Sequence, residues 1–295
     1  MNPGQARLLA ATLLLALVVV GASSFLRLAG NGLGCEPWPR CYGTEAAAQR
    51  ANDSAVVQGM RLSHRVAATL FLVVASVLVW KGWRRWPVAH RSAGVLLLAV
   101  TLLLAGIGLI TPSPWPWVTW INLLGGFTLV ALLLLLAAPH DSPWRVSRWF
   151  GVLLVLLVLQ ALAGATISVR LAGAACANGC ATAIGGDWLA LFNPVRAGSA
   201  IEVARNPSGS TLHALHRLGG LLLAIAAIVA GAAGGHRMRN VALAAGAVLG
   251  FGFWLLEGGG PAVGAAHALA AALLIGLAAR MAFGATRTNS TGDSR

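Results

Sequence analysis

Gly21-Ala22-Ser23-Ser24-Phe25-Leu26-Arg27-Leu28-Ala29-Gly30 closes one long apolar run, and Gly164-Ala165-Thr166-Ile167-Ser168-Val169-Arg170-Leu171-Ala172-Gly173 closes another. From Gly21 to Gly164 the offset is 143 residues, and both copies keep Gly-Ala, an arginine between apolar neighbours and a final Ala-Gly. A cysteine pair follows each copy, Cys35 with Cys41 and Cys176 with Cys180. A His-Arg pair then opens a further apolar run in each case, His64-Arg65 and His216-Arg217, at an offset of 152 residues. Self-similarity on this scale is what a duplicated unit leaves behind. The chain reads as two halves, 1–148 and 149–295.

Of 295 residues, 58% are hydrophobic and 10% charged, with a mean hydropathy of +0.77, whereas a soluble domain carries about 25% charged residues. A water-soluble enzyme is excluded. At about 20 apolar residues per crossing, eight spans are expected, near 8–28, 62–81, 92–111, 117–138, 149–170, 211–233, 241–256 and 261–283. The fold class is therefore an all-α integral membrane protein with eight transmembrane helices arranged as two pseudo-symmetric four-helix bundles. Four helices return the chain to its starting side, so the halves are related by an axis along the membrane normal. The first run is as long as a full span and reads as a retained helix, not a cleaved signal peptide.

The net charge of +13 raises the question of a nucleic-acid partner. The bases lie at the ends of apolar runs and not in one tract, so no nucleic acid is expected. Eight spans put both termini on one side, which then holds twelve bases and two acids, against nine bases and six acids opposite. That asymmetry predicts cytoplasmic termini, with Lys81 to Arg91 and His236 to Arg239 as its strongest carriers. The two long outer loops, 29–61 and 171–210, contain all four cysteines. In an oxidising compartment each pair can close a small ring. A metal or redox site is the other reading, but the spacings of six and four residues fit no common zinc signature and neither loop has a histidine.

Histidines carry the chemistry. His90, His140 and His236 fall in inner loops among arginines and read as solvated. His64, His213, His216 and His267 fall in the first turns of even-numbered runs, near the outer surface, where an ionisable group bordering hydrocarbon tends to be functional. Imidazoles from facing helices at one depth are how a bundle holds haem iron. His216 and His267 meet that requirement; the plainer reading is a hydrogen bond to a neighbouring helix. His213, one turn from His216, is a weaker candidate. The corresponding first-half pair is His64 and, 145 residues before His267, Asn122. Asparagine is a poor iron ligand, so one half is expected to hold iron between two imidazoles and the other to leave a coordination position open or weakly filled. Arg27, Arg65, Arg170 and Arg217 lie at the same level and suit haem propionates; interfacial snorkelling accounts for them equally well. Trp115, Trp117 and Trp120 read as an aromatic belt.

The segment Gly32-Leu33-Gly34-Cys35-Glu36-Pro37-Trp38-Pro39-Arg40-Cys41, with the two His-Arg openings and His267, resembles bacterial heme A synthase across both halves. The resemblance implies a plasma (inner) membrane oxidoreductase that oxidises the C8 methyl of heme O to the formyl group of heme A. It implies haem b held by His216 and His267, and heme O as substrate bound with His64. It also implies outer disulfides at Cys35 with Cys41 and Cys176 with Cys180. Implied partners are membrane lipid, heme O synthase and the cytochrome oxidase assembly machinery. The family has a second histidine where this chain has Asn122 and a glutamate where it has Arg61, both in the catalytic half. The alternative is a non-catalytic haem-b-binding assembly or electron-transfer relative. A transporter has thin support, because no broken helix pair carries acids at mid-membrane.

Overall fold

The structure is a computed structural model that describes residues 2–29, 54–109, 115–139, 147–169, 187–195, 207–233, 235–256 and 258–283. These residues are helical apart from caps and turns: α1 (Pro3–Leu28), α2 (Ala55–Trp83), α3 (Val88–Gly108), α4 (Pro116–Leu136), α5 (Arg148–Val169), α6 (Trp188–Phe192), α7 (Pro207–Ala233), α8 (Gly235–Leu256) and α9 (Gly260–Phe283). All except the short α6 are long and apolar enough to cross a membrane, and they coincide with the eight expected spans. The protein is a multi-pass membrane protein.

Two boundaries move in a way that matters. Ser54 accepts a hydrogen bond from the Val57 amide at 3.4 Å, and α2 begins at Ala55, seven residues before the apolar run. α7 begins at Pro207, four residues early. His64 and His216 consequently each lie nine residues inside their helices, about 13 Å along the axis, and not in the first turn. An apolar run marks where hydrocarbon begins, whereas a capped helix begins in its polar approach.

α1 packs on α2, α2 on α3, α3 on α4 and α4 on α1, closing one ring. α5, α7, α8 and α9 close a second ring in the same manner. The rings meet through α4 and α9, flanked by α1 with α9 and α4 with α5, a joint that maps onto itself when the halves are exchanged. In α4 and α9, 61% of the most apolar stretch is buried, against 33% or less in the other spans, so these two form the centre. Their compositions interlock. α4 offers Leu132, Leu133, Leu134, Leu135 and Leu136, and α9 answers with Ala268, Ala272, Gly276 and Ala279. A Cβ at Gly276 would stand 2.6 Å from Leu134 Cδ1 and 3.4 Å from Ala131 Cα, so small residues are what let the helices approach.

At the end where α1 begins and α9 finishes, here the near end, Gln5 Nε2 donates to the Lys81 carbonyl at 3.3 Å and the Ser147 amide to the Ala282 carbonyl at 2.8 Å. His90 lies here too, but it is fully buried and not solvated, with Nε2 donating to the Ala138 carbonyl at 3.3 Å. Ala138 lies just past the C-cap Ala137 of α4, beyond the helix's own hydrogen-bond ladder, and His90 supplies its carbonyl with a donor. At the opposite, far end α6 lies in what reads from sequence as loop; Leu191 packs with Ile167 and Leu212, and the Trp117 amide donates to the Pro194 carbonyl at 3.2 Å.

Replacing Gly276 by valine should destabilise the seam by about 1–3 kcal/mol through overpacking, read as a lowered unfolding temperature in detergent. Gly246→Ala, whose Cβ meets nothing within 4 Å, should leave that temperature unchanged or raise it.

Candidate functional site: two histidines in the loosely packed half of a bundle

Packing in the second bundle is uneven along its length. Toward the near end Leu157, Ala224, Ala227, Val241 and Ala245 are all buried in one core. Toward the far end no residue of 213–223 in α7 or 246–256 in α8 reaches that degree of burial. The stretch 58–66 of α2 shows the same slack in the first bundle. His64, His213, His216 and His267 all lie at this loosely packed level.

His267 Nδ1 is 3.0 Å from the Val248 carbonyl of α8. A carbonyl only accepts, so Nδ1 carries the proton and Nε2 keeps its lone pair. A Cβ at Gly252, one turn further along α8, would come 3.4 Å from His267 Cε1. His216 is seated in a similar way from the other side. A Cβ at Gly164 of α5 would stand 2.9 Å from His216 Cε1, so only glycine leaves the ring its place. Gln160, one turn before Gly164, donates through Nε2 to the His216 carbonyl, and its amide lies against Gly219 and Gly220 of α7.

Buried polar atoms in a folded protein nearly always have partners, and each that lacks one calls for an explanation. Among the described residues, the buried side-chain atoms without a hydrogen-bond partner are His216 Nδ1, Arg27 Nε and Nη1, Trp120 Nε1 and Ser168 Oγ toward the far end, and Trp86 Nε1 and His90 Nδ1 toward the near end. An unmade bond of this kind costs about 1–3 kcal/mol, and five of these seven atoms lie toward the end that holds His216 and His267. Arg27 lies on the Val20, Ser24 and Arg27 stripe of α1, where Val20 meets Gly126 of α4. Its neighbour Leu28 packs on Gly264 of α9, which puts Arg27 at the junction of the two bundles. Trp115 and Trp117 stack with centroids 6.1 Å apart. Trp120, expected with them in the belt, turns its indole nitrogen inward.

The other expected residues separate by face. Arg65 and Arg217 are exposed, beside the exposed Leu62, Val66 and Leu218. Arg61 and His64 share the stripe of α2 that continues through Ala67, Phe71 and Ala75 into the core. Asn122 and His267 each lie nine residues before the Ala131 and Gly276 contact, hence at one depth. Arg170 and the four cysteines lie outside the described residues. Among the described residues no three His, Cys, Asp or Glu gather as a protein-only metal site would require. Gln160, Val248, Gly164 and Gly252 were missed from sequence. Gln160 had a legible signal, being the one amide in the run 149–170.

No protein-family model matches the sequence. A curated protein does: over 255 residues the chain is 27% identical to the heme A synthase of Shewanella oneidensis, covering 74% of this chain and 75% of that protein. The chain is similar to heme A synthase. The likeness supports that family, extends over most of both chains and agrees with the eight-span architecture.

The Gly164 and His216 contact should be visible as energetic coupling. Gly164→Val destabilises the unaltered chain by displacing the ring, and most of that loss should vanish in a His216→Ala background. A double-mutant cycle on unfolding temperature in detergent checks it, with a coupling of about 0.5–3 kcal/mol expected for groups in contact.

Proposed function

We propose that this chain is a heme A synthase-like oxidoreductase of the bacterial inner membrane, oxidising the C8 methyl of heme O to the formyl group of heme A, with both termini cytoplasmic. The observation that carries the reading is the placement of His216 on α7 and His267 on α9 in a loosely packed level of the bundle, with the His267 proton committed to Val248. Two imidazoles are the donor set of a bis-histidine haem b, and the glycine at 164 leaves the His216 ring its space. When bound, haem b supplies one-electron relay chemistry to the substrate half. Val248 fixes the tautomer and orientation of His267, as outer-shell carbonyls do for metal-bound imidazole. Gln160 anchors the backbone at His216.

Arg27, buried with two unpaired nitrogens at the junction of the bundles, is suited to charge-assisted bonds with a propionate. Arg65, Arg170 and Arg217 act at the rim. His64 binds heme O from the interior stripe of α2, with Asn122 and Arg61 lining the same site. Cys35 with Cys41 and Cys176 with Cys180 close disulfides over the outer face. Heme O synthase is the donor of substrate, and the cytochrome oxidase assembly machinery takes the product.

One observation favours a second reading. Asn122 occupies the depth at which His267 stands in the other half, and an amide oxygen is a weak ligand for iron. In that reading the second bundle holds haem b for assembly or electron transfer, and the first has no catalytic haem.

Co-expression with a heme O synthase should yield extractable heme A; folded, haem-loaded protein that accumulates only heme O would overturn the enzyme reading. His216→Ala and His267→Ala should each abolish the bis-histidine absorption spectrum of the purified protein. Under the first reading a titration gives two haems per chain, the second lost in His64→Ala; under the second reading it gives one, insensitive to that change.

A further inference from the structure

The near end, away from the histidines, holds an open groove of about 1320 Å³ between α1, α2 and α3. Arg7 of α1 and Lys81, Arg84 and Arg85 at the end of α2 line it together with Trp80 and Trp83, and no acidic residue is among its walls. All four cations are exposed. They stand on a fixed frame. Gln5 ties α1 to the last turn of α2 through the Lys81 carbonyl. The turn after α2 folds the Trp86 indole onto Gly82, where any Cβ would collide with it. Arg91 Nε then holds the Trp86 carbonyl at 2.8 Å, with its guanidinium 6.0 Å from the Trp83 ring centroid. The turn that presents Arg84 and Arg85 is thus braced from both sides.

A diffuse excess of bases at a membrane surface needs no groove. Here concentrated positive charge, interfacial tryptophans and an apolar floor at Leu8 and Leu98 coincide in one concavity at the end of three spans. We propose that this groove is a binding site for one anionic phospholipid, taken from the leaflet at the near end. Its phosphate accepts charge-assisted bonds from the Arg and Lys side chains. Trp80 and Trp83 lie at the glycerol level, where indoles prefer to sit, and an acyl chain runs along Leu8 and Leu98 between α1 and α3. The lipid joins α1 to α2 and α3 across the near end of the first bundle. The inference is independent of the haem reading.

Native mass spectrometry of the full chain in neutral detergent, titrated with phosphatidylglycerol or phosphatidylcholine, tests it. One phosphatidylglycerol per chain should be retained and phosphatidylcholine released. The variant Lys81→Gln/Arg84→Gln/Arg85→Gln should bind phosphatidylglycerol about a hundredfold more weakly, each near-surface base being worth roughly fivefold. Lys81→Arg/Arg84→Lys/Arg85→Lys should retain it, as should Arg148→Gln/Arg239→Gln, which removes charge from the same end outside the groove. Equal loss in the groove variant and the Arg148/Arg239 control would overturn the proposal in favour of diffuse charge. Equal retention of the two lipids would also overturn it, as would displacement of phosphatidylglycerol by inorganic phosphate at matched ionic strength. Should the glutamine variant fail to fold, the unaltered chain decides. Phosphatidylglycerol must then raise its unfolding temperature more than phosphatidylcholine does, in a salt-sensitive way, and no difference refutes the site.

Discussion

The contact of Gly276 with Ala131 and Leu134 fixes how the two bundles stand against each other. In lipid there is little hydrophobic drive between helices, so association depends on close van der Waals fit. A leucine-rich α4 and an alanine-rich α9 supply that fit only in a register that lets the small residues meet the large ones. That register places His267 and Asn122 at one depth. Because α1 crosses both helices, it also brings Arg27 to the place where the bundles join.

Within this frame the polar groups follow the rules of a low-dielectric medium. Thr12, Thr101 and Thr166 return their hydroxyls to carbonyls four residues earlier in their own helices, which satisfies them without a second helix. His90 spends its Nε2 proton on the carbonyl of Ala138, and His267 spends its Nδ1 proton on Val248. These are the same residue type with opposite consequences. His90 is enclosed on all sides at a helix end and acts as a brace, whereas the Nε2 of His267 is left for another partner in a thinly packed level. Arg27 and His216 keep buried nitrogens without a hydrogen-bond partner toward the far end.

The two ends of the molecule are built for different partners. The far end is loose inside and lined by imidazole, indole and guanidinium groups; the near end is tight inside and presents its cations outward. The two bundles differ at the far end, where Asn122 stands at the depth of His267, while both place basic residues near the other end.

The amino-acid sequence by itself determined the number of spans and their grouping into two bundles of four, since hydrocarbon thickness writes itself as runs of apolar residues. It misplaced His64 and His216 within their helices, because α2 and α7 begin in polar approaches that an apolar count ignores. It read His90 as solvated, because a loop position says nothing about which neighbour a side chain meets. Only the tertiary structure decided that Val248 sets the tautomer of His267, that Gly164 makes room for His216, and that Arg27 alone among the described outer arginines turns inward with unpaired nitrogens. Those facts depend on how separate helices cross, and crossing is set by fit between surfaces that no single run of sequence contains.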